Sequence, residues 1–361
     1  MNYYDARETR YPLDRERELL ARLPKQVAHA KAHAPAFAAL LADVNPAAIV
    51  SREALAGLPV VRKSELLELQ KGARPFGGFA ALKWGTGCAR VFASPGPIYE
   101  PEGARKDYWR LARAFYAAGF RAGDLVHNTF SYHFTPAGSM TETAAHALGC
   151  TVFPAGVGQT EQQVAAMLDL RPDAYAGTPS FLRIILDKAD ELGVKIDSLT
   201  KAFVSGEAFP PSQCEALVAR GIQAFQAYAT ADIGLIAFET PAREGLVLDE
   251  DILLEIVRPG TGEPVAPGEV GEVVVTSFNP DYPLIRFGTG DLSAVLPGAS
   301  PCGRSNTRIK GWLGRADQTT KVKGMFVHPG QVVAVLKRHP ELGRGRLVVD
   351  NPDHIDRMTL H

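Results

Sequence analysis

Several residues in this chain have types and settings that could do chemistry. Asp291 closes the run GTGD, where a carboxylate beside a glycine at a strand end could accept two hydroxyl hydrogens, as from a diol. Asp232, at the end of YATAD, offers the hard oxygen that a divalent cation takes. Tyr228 opens the same run and presents a flat aromatic face. Ser205, Gly206 and Glu207 read as a turn that exposes backbone donors and acceptors. The stretch VFASPGPIYEP, Val91 to Pro101, has the small residue Ser94 and the glycine Gly96 of an anion-holding loop. It also carries three prolines, which lack an N–H, and Glu100, which has the wrong charge.

Such residues converge only if the chain supplies a framework whose strand ends lie together. From about Ala104 to Ala237, strand-like and helix-like runs alternate, which predicts a mostly parallel sheet covered by helices. Ligands in such sheets sit at the carboxyl ends of strands, so the loops after Phe130, Val204 and Tyr228 are the candidates. Upstream, helical spacing covers Arg15 to Leu41 with a break near Pro24. LPVVRKSELLEL predicts a short strand and a helix capped by Ser64, and Lys106 to Phe120 predicts one amphipathic helix. From Leu246 the runs become short and β-rich, predicting an antiparallel unit over about 245–300. A strand, a charged loop, a second strand and a helix starting near Pro329 follow.

Composition narrows the function classes. The chain has 361 residues and is 46% hydrophobic, enough for two or three structural units. A formal net charge of −1 gives no basic excess for nucleic acid. No apolar run approaches the roughly 20 residues of a membrane helix, and the charged N-terminus lacks a signal-peptide core. Four scattered cysteines fit a reducing compartment. The expectation is a soluble cytoplasmic protein without nucleic-acid or membrane partners.

One continuous run is far more specific than any single motif. SFNPDYPLIRFGTGDLSAVLPGASPCGRSNTRIKGWLGRADQTTKVKGMFVHPGQVVAVLKRHPEL resembles the phenylacetate-coenzyme A ligase family of adenylate-forming enzymes. That family has a YPLIRYRTGDL run, a PCGRTH-like turn, a GRxDD hinge and an RGVNVFPSQIEEVL run. Upstream, VFASPGPIYEP lies where the family has ASSGTTGKP, VSGEAFPP at its GAEPW turn, and YATAD at its YGLTE loop. The resemblance implies an α/β adenylate-forming fold. It would comprise a large N-terminal domain over 1–313, with mostly parallel, helix-covered sheets, and a hinge with an incomplete α+β C-terminal domain over 314–361.

The resemblance also implies roles. Asp291 would take the ribose diol and Arg315 would reach the same ribose; alone, the motif reads first as an Asp-turn beside a surface arginine. Tyr228 would stack on adenine, with Ser205, Gly206 and Glu207 along the base edge. Asp232 replaces the family's glutamate and would meet Mg²⁺ beside the phosphates. Asp317 would be the hinge residue and Gly324 would let backbone approach the pantetheine arm. Tyr132, Phe134, Gly138 and Thr178 would form the acid pocket, although each alone reads equally as core packing. ATP, coenzyme A and a small, aryl-type carboxylic acid would be the substrates, Mg²⁺ the cofactor, and a homodimer the assembly. Cys302 has no second cysteine nearby, so no zinc is expected.

Two departures qualify this. Aligned on ASSGTTGKP, both threonines are lost, Tyr99 replaces the second glycine and Glu100 replaces the lysine. Glu100 would then repel a triphosphate. Only 44 residues follow Asp317, against about 100 in an independent small domain, and none can be assigned the family's late lysine. The chain is then either a fragment or a short form with impaired adenylation. The alternative to a ligase is an AMP- or acyl-CoA-binding member of the fold with little or no catalysis.

Overall fold

The computed structural model describes residues 3–83, 85–316, 320–322, 325–327, 329–351 and 355–361. The alternating runs build a nine-stranded sheet. Its parallel half runs Thr151–Phe153, Leu125–Asn128, Ala174–Gly177, Lys201–Val204 and Gln223–Thr230 in spatial order. Period-2 alternation sends neighbouring residues to opposite faces. Ala174, Ala176 and Phe203 pack on one side with Trp109, Phe115 and Phe120. Tyr175, Ala202 and Val204 pack on the other with Leu182, Ile185 and Leu186 of the helix Pro179–Glu191. Both faces are thus covered, as a parallel sheet requires.

The β-rich run does not form one unit. Gly234–Phe238, Leu246–Leu248, Arg308–Ile309 and Val295–Leu296 extend the large sheet as antiparallel strands. Ile252–Val257, Gly271–Ser277 and Phe287–Ser293 form a second sheet, and Val61–Arg62 and Gly314–Arg315 both pair with its strand Phe287–Ser293. Short apolar runs carry alternation but not the identity of their partners, so the split could not be read from their pattern.

Three local expectations change. The helix Pro12–His33 runs through Pro24 without ending there. Leu19, Leu23, Val27 and Ala30 make one buried stripe against the second sheet, and that burial offsets the local loss of a backbone bond. The chain leaves the helix at Ala34, whose extended backbone precedes Pro35. Between Lys106 and Phe120 the α-helix covers only Ala112–Ala117. Asp107 and Arg110 take positive φ angles of 48° and 66°, and the Asp107 carboxylate accepts the Ala112 N–H at 3.2 Å. The helix expected to start at Ser64 spans Lys63–Gly72, where Glu65 reaches back to accept the Arg62 N–H at 3.3 Å.

Candidate nucleotide and acid site

The carboxyl end of Gln223–Thr230 and the strand Phe287–Ser293 meet at Asp291. The Tyr228 hydroxyl lies 2.8 Å from Asp291 Oδ2 and 3.0 Å from Thr289 Oγ1. Burial and the Asp291 carboxylate push the Tyr228 phenol well above its ordinary range, so it remains a donor. Sheet register sets Arg315 directly opposite Asp291. Its Nη1 donates to Asp291 Oδ1 at 2.9 Å and to the Thr289 carbonyl at 3.1 Å. The Trp312 indole Nε1 also donates to Asp291 Oδ1, at 3.0 Å. The structure therefore brings Tyr228, Asp291 and Arg315 together, and adds Trp312 and Thr289, which the sequence reading missed.

A second cluster surrounds Asp232, which is 2% exposed. Its Oδ2 pairs with Lys63 Nζ at 2.5 Å. Its Oδ1 is buried with no hydrogen-bond partner. A buried, orphaned carboxylate oxygen suits a hard divalent cation, so the residues fit Mg²⁺. Among the described residues, no group of three or more His, Cys, Asp or Glu side chains is placed to hold a metal. A cation at Asp232 would therefore draw its other ligands from phosphate oxygens and water.

Lys63 was also missed, because 169 residues separate it from Asp232. The parallel pairing of Val61 with Phe287 and Arg62 with Gly288 brings it there. Buried Arg286 anchors that pairing through Glu255 at 3.0 Å and the carbonyls of Ala56 and Gly262 at 2.7 and 2.6 Å. Burial opposes charge on Lys63, but Asp232 and Glu100 outweigh it and hold the ammonium above its ordinary value.

The stretch expected to be a rebuilt phosphate loop is a β-hairpin. Cys88–Ser94 pairs antiparallel with Ile98–Gly103 around a turn of Pro95, Gly96 and Pro97. Glu100 does not stand free toward an anion. It is fully buried, and its carboxyl takes the Ser94 N–H at 3.1 Å and bonds the Ser94 hydroxyl. Burial first, then the Asp232 charge, pushes this carboxyl up to about 8. It is then mostly neutral at pH 7, which removes the repulsion expected from the sequence.

Around the neighbouring strand ends, the Tyr132 hydroxyl donates to Glu142 at 2.7 Å and accepts from Asn128 Nδ2 at 2.8 Å. Gly138 lies against this ring: a Cβ there would meet the Ser131 carbonyl at 2.7 Å and Tyr132 at 2.9 Å. Thr178 caps the helix Pro179–Glu191 through the Phe181 N–H at 3.4 Å, and exposed Glu207 accepts the Ser180 N–H at 2.6 Å. Ser205 donates to the Ala227 carbonyl at 2.8 Å, with Gly206 next in the turn at φ 86°. Phe134 is set apart: 81% exposed at φ 61°, it is tied to the hairpin only through its carbonyl, which accepts the Ala93 N–H at 2.8 Å. Asp317 and Gly324 lie outside the described residues.

A carboxylate with three donors and an orphaned buried carboxylate oxygen, at the strand ends of a doubly covered sheet, are features that suit the AMP-binding class of enzymes. The AMP-binding enzyme family profile matches residues 106–279. The phenylacetate-coenzyme A ligase of Aromatoleum evansii is 32% identical, across 94% of this chain and 80% of its own length. That of Thermus thermophilus is also 32% identical, across 89% and 75%. A solved 2-hydroxyisobutyryl-CoA ligase in complex with 2-HIB-AMP and CoA, in its thioesterification state, is 25% identical, covering 100% of this chain and 81% of its own, with a TM-score of 0.89. The chain belongs to the phenylacetate-coenzyme A ligase family, whose members are adenylate-forming, AMP-releasing CoA ligases.

Proposed function

We propose that this protein is an ATP-dependent acid–CoA ligase for an aryl or other small carboxylic acid. The acid carboxylate attacks the α-phosphate of ATP, forming an acyl-adenylate and releasing pyrophosphate; the CoA thiol then displaces AMP. The observation that carries the reading is the pair of clusters, Asp291 with Tyr228 and Arg315, and Asp232 with Lys63. The first offers acceptors for a ribose diol and the second offers charge for phosphates. Mg²⁺ bound at Asp232 would offset phosphate charge. Lys63, paired with Asp232 and acted on by Glu100, is a cation that would stand in for the lysine Glu100 replaces in the loop. Tyr132 and Gly138 shape the acid end, Thr178 and Phe134 stand at its margin, and Ser205, Gly206 and Glu207 lie along the base edge. The family resemblance assigns Asp317 the hinge role and Gly324 a contact with the pantetheine arm; both lie outside the described residues.

The rebuilt hairpin favours a second reading, an AMP- or acyl-CoA-binding protein with little adenylation. Two of its three turn residues are prolines without an N–H to offer an anion. Pyrophosphate release, measured over a panel of aryl and short-chain acids with ATP and Mg²⁺, separates the two. Acid-dependent release that continues to a CoA thioester supports the ligase. AMP binding with no release from any acid overturns it in favour of the second reading.

A further inference from the structure

Asp291 has more donors than a nucleoside acceptor can keep. Its carboxylate offers about four lone-pair sites, and Tyr228, Arg315 and Trp312 occupy three of them. A ribose diol brings two further hydroxyl donors, so one resident donor must leave for both to bind. Tyr228 is also held beside Thr289 Oγ1. Arg315 is also held by the Thr289 carbonyl and by strand pairing, with its side chain 18% exposed. Trp312 has one N–H, spends it on Asp291, and is 51% exposed. A donor open to water loses least on leaving, because water replaces its acceptor.

We propose that Trp312 is a competing donor at the nucleoside site: its indole N–H holds Asp291 in the empty site and is exchanged for a ribose hydroxyl when a nucleotide binds. This rests on the nucleotide reading above. The ligand is an adenosine nucleotide with a free 2′,3′-diol. A nucleotide lacking the diol cannot displace the indole and binds around it. Trp312 therefore makes the site weaker for every ligand that uses Asp291, leaves a ligand that does not use it unaffected, and so narrows the margin between the two.

The test compares AMP with 2′,3′-dideoxy-AMP on the full chain and on Trp312→Phe, by calorimetry and by intrinsic fluorescence. Phenylalanine keeps an aromatic ring and deletes the N–H. AMP is expected to bind about 3- to 10-fold tighter to the variant, the range of one exposed hydrogen bond, while dideoxy-AMP is unchanged. With Trp84→Phe made in both proteins, fluorescence shifts with AMP but not with dideoxy-AMP, and Trp312→Phe loses that shift, since Trp109 is only 1% exposed. Trp312→Leu gives the same affinity ratio if the phenylalanine variant folds poorly. Weaker or unchanged AMP binding, or equal changes for both ligands, overturns the exchange and leaves the nucleotide reading standing. An unaltered chain that binds neither ligand overturns the nucleotide reading itself.

Discussion

Replacing Glu100 by glutamine should make the protein more stable at alkaline pH. Burial raises this carboxyl from the ordinary range to about 8. The folded state therefore keeps a proton that the unfolded chain has already released. Stability from this group is complete below the unfolded value and is lost as pH rises to about 8, after which it is level. Roughly three and a half pH units at about 1.4 kcal/mol each set a ceiling of about 5 kcal/mol. The charges of Asp232 and Lys63 act on this carboxyl in opposite directions, so about 2 kcal/mol is the working figure. Glu100→Gln keeps an acceptor for the Ser94 N–H and a donor for its hydroxyl, without a charge to bury. Urea midpoints at pH 5 and pH 9 measure the effect. The variant should match the unaltered chain at pH 5 and exceed it at pH 9. If it is less stable at pH 9, the ionised Glu100 is favoured there by Lys63 rather than penalised by burial, and the reasoning fails.

Three further perturbations address the site. Asp291→Asn removes the charge shared by Arg315, Tyr228 and Trp312. AMP affinity by calorimetry should fall about 10- to 100-fold, the value of one or two charge-assisted bonds. Lys63→Met leaves Asp232 buried without its cation. With the lysine side chain 22% exposed, the loss of stability should be about 2–4 kcal/mol by urea midpoint, and pyrophosphate release should drop about 100-fold. Gly138→Ala forces the Tyr132 ring aside. Its KM for the preferred acid should rise about 10-fold while AMP affinity holds, as isotherms and steady-state assays would show.

The parts of this molecule that could be read from sequence are those whose signal is local. Alternating runs gave the parallel half-sheet and its two faces, and the residues singled out at the YATAD and GTGD strand ends, Tyr228 and Asp291, are hydrogen-bonded to each other. Arg315 followed because its strand pairs in register with Asp291. Lys63 and Trp312 could not be found the same way. Each is one polar or aromatic residue in an ordinary run, and only strand pairing or a single long-range hydrogen bond gives it a role. Glu100 was placed in the right neighbourhood but with the wrong state, because burial, which sequence does not display, decides whether a carboxylate carries charge. Pro24 misled for a related reason: a helix breaker is overruled where a continuous apolar stripe is buried on both sides of it.

The two-residue ladder between Asp291–Leu292 and Gly314–Arg315 works as a clutch. Because side chains alternate along a strand, slipping that ladder by one position would turn the Arg315 guanidinium to the opposite face and take it off Asp291. On the nucleotide reading proposed above, affinity would then depend on the register of this ladder as well as on the side chains that touch the ligand.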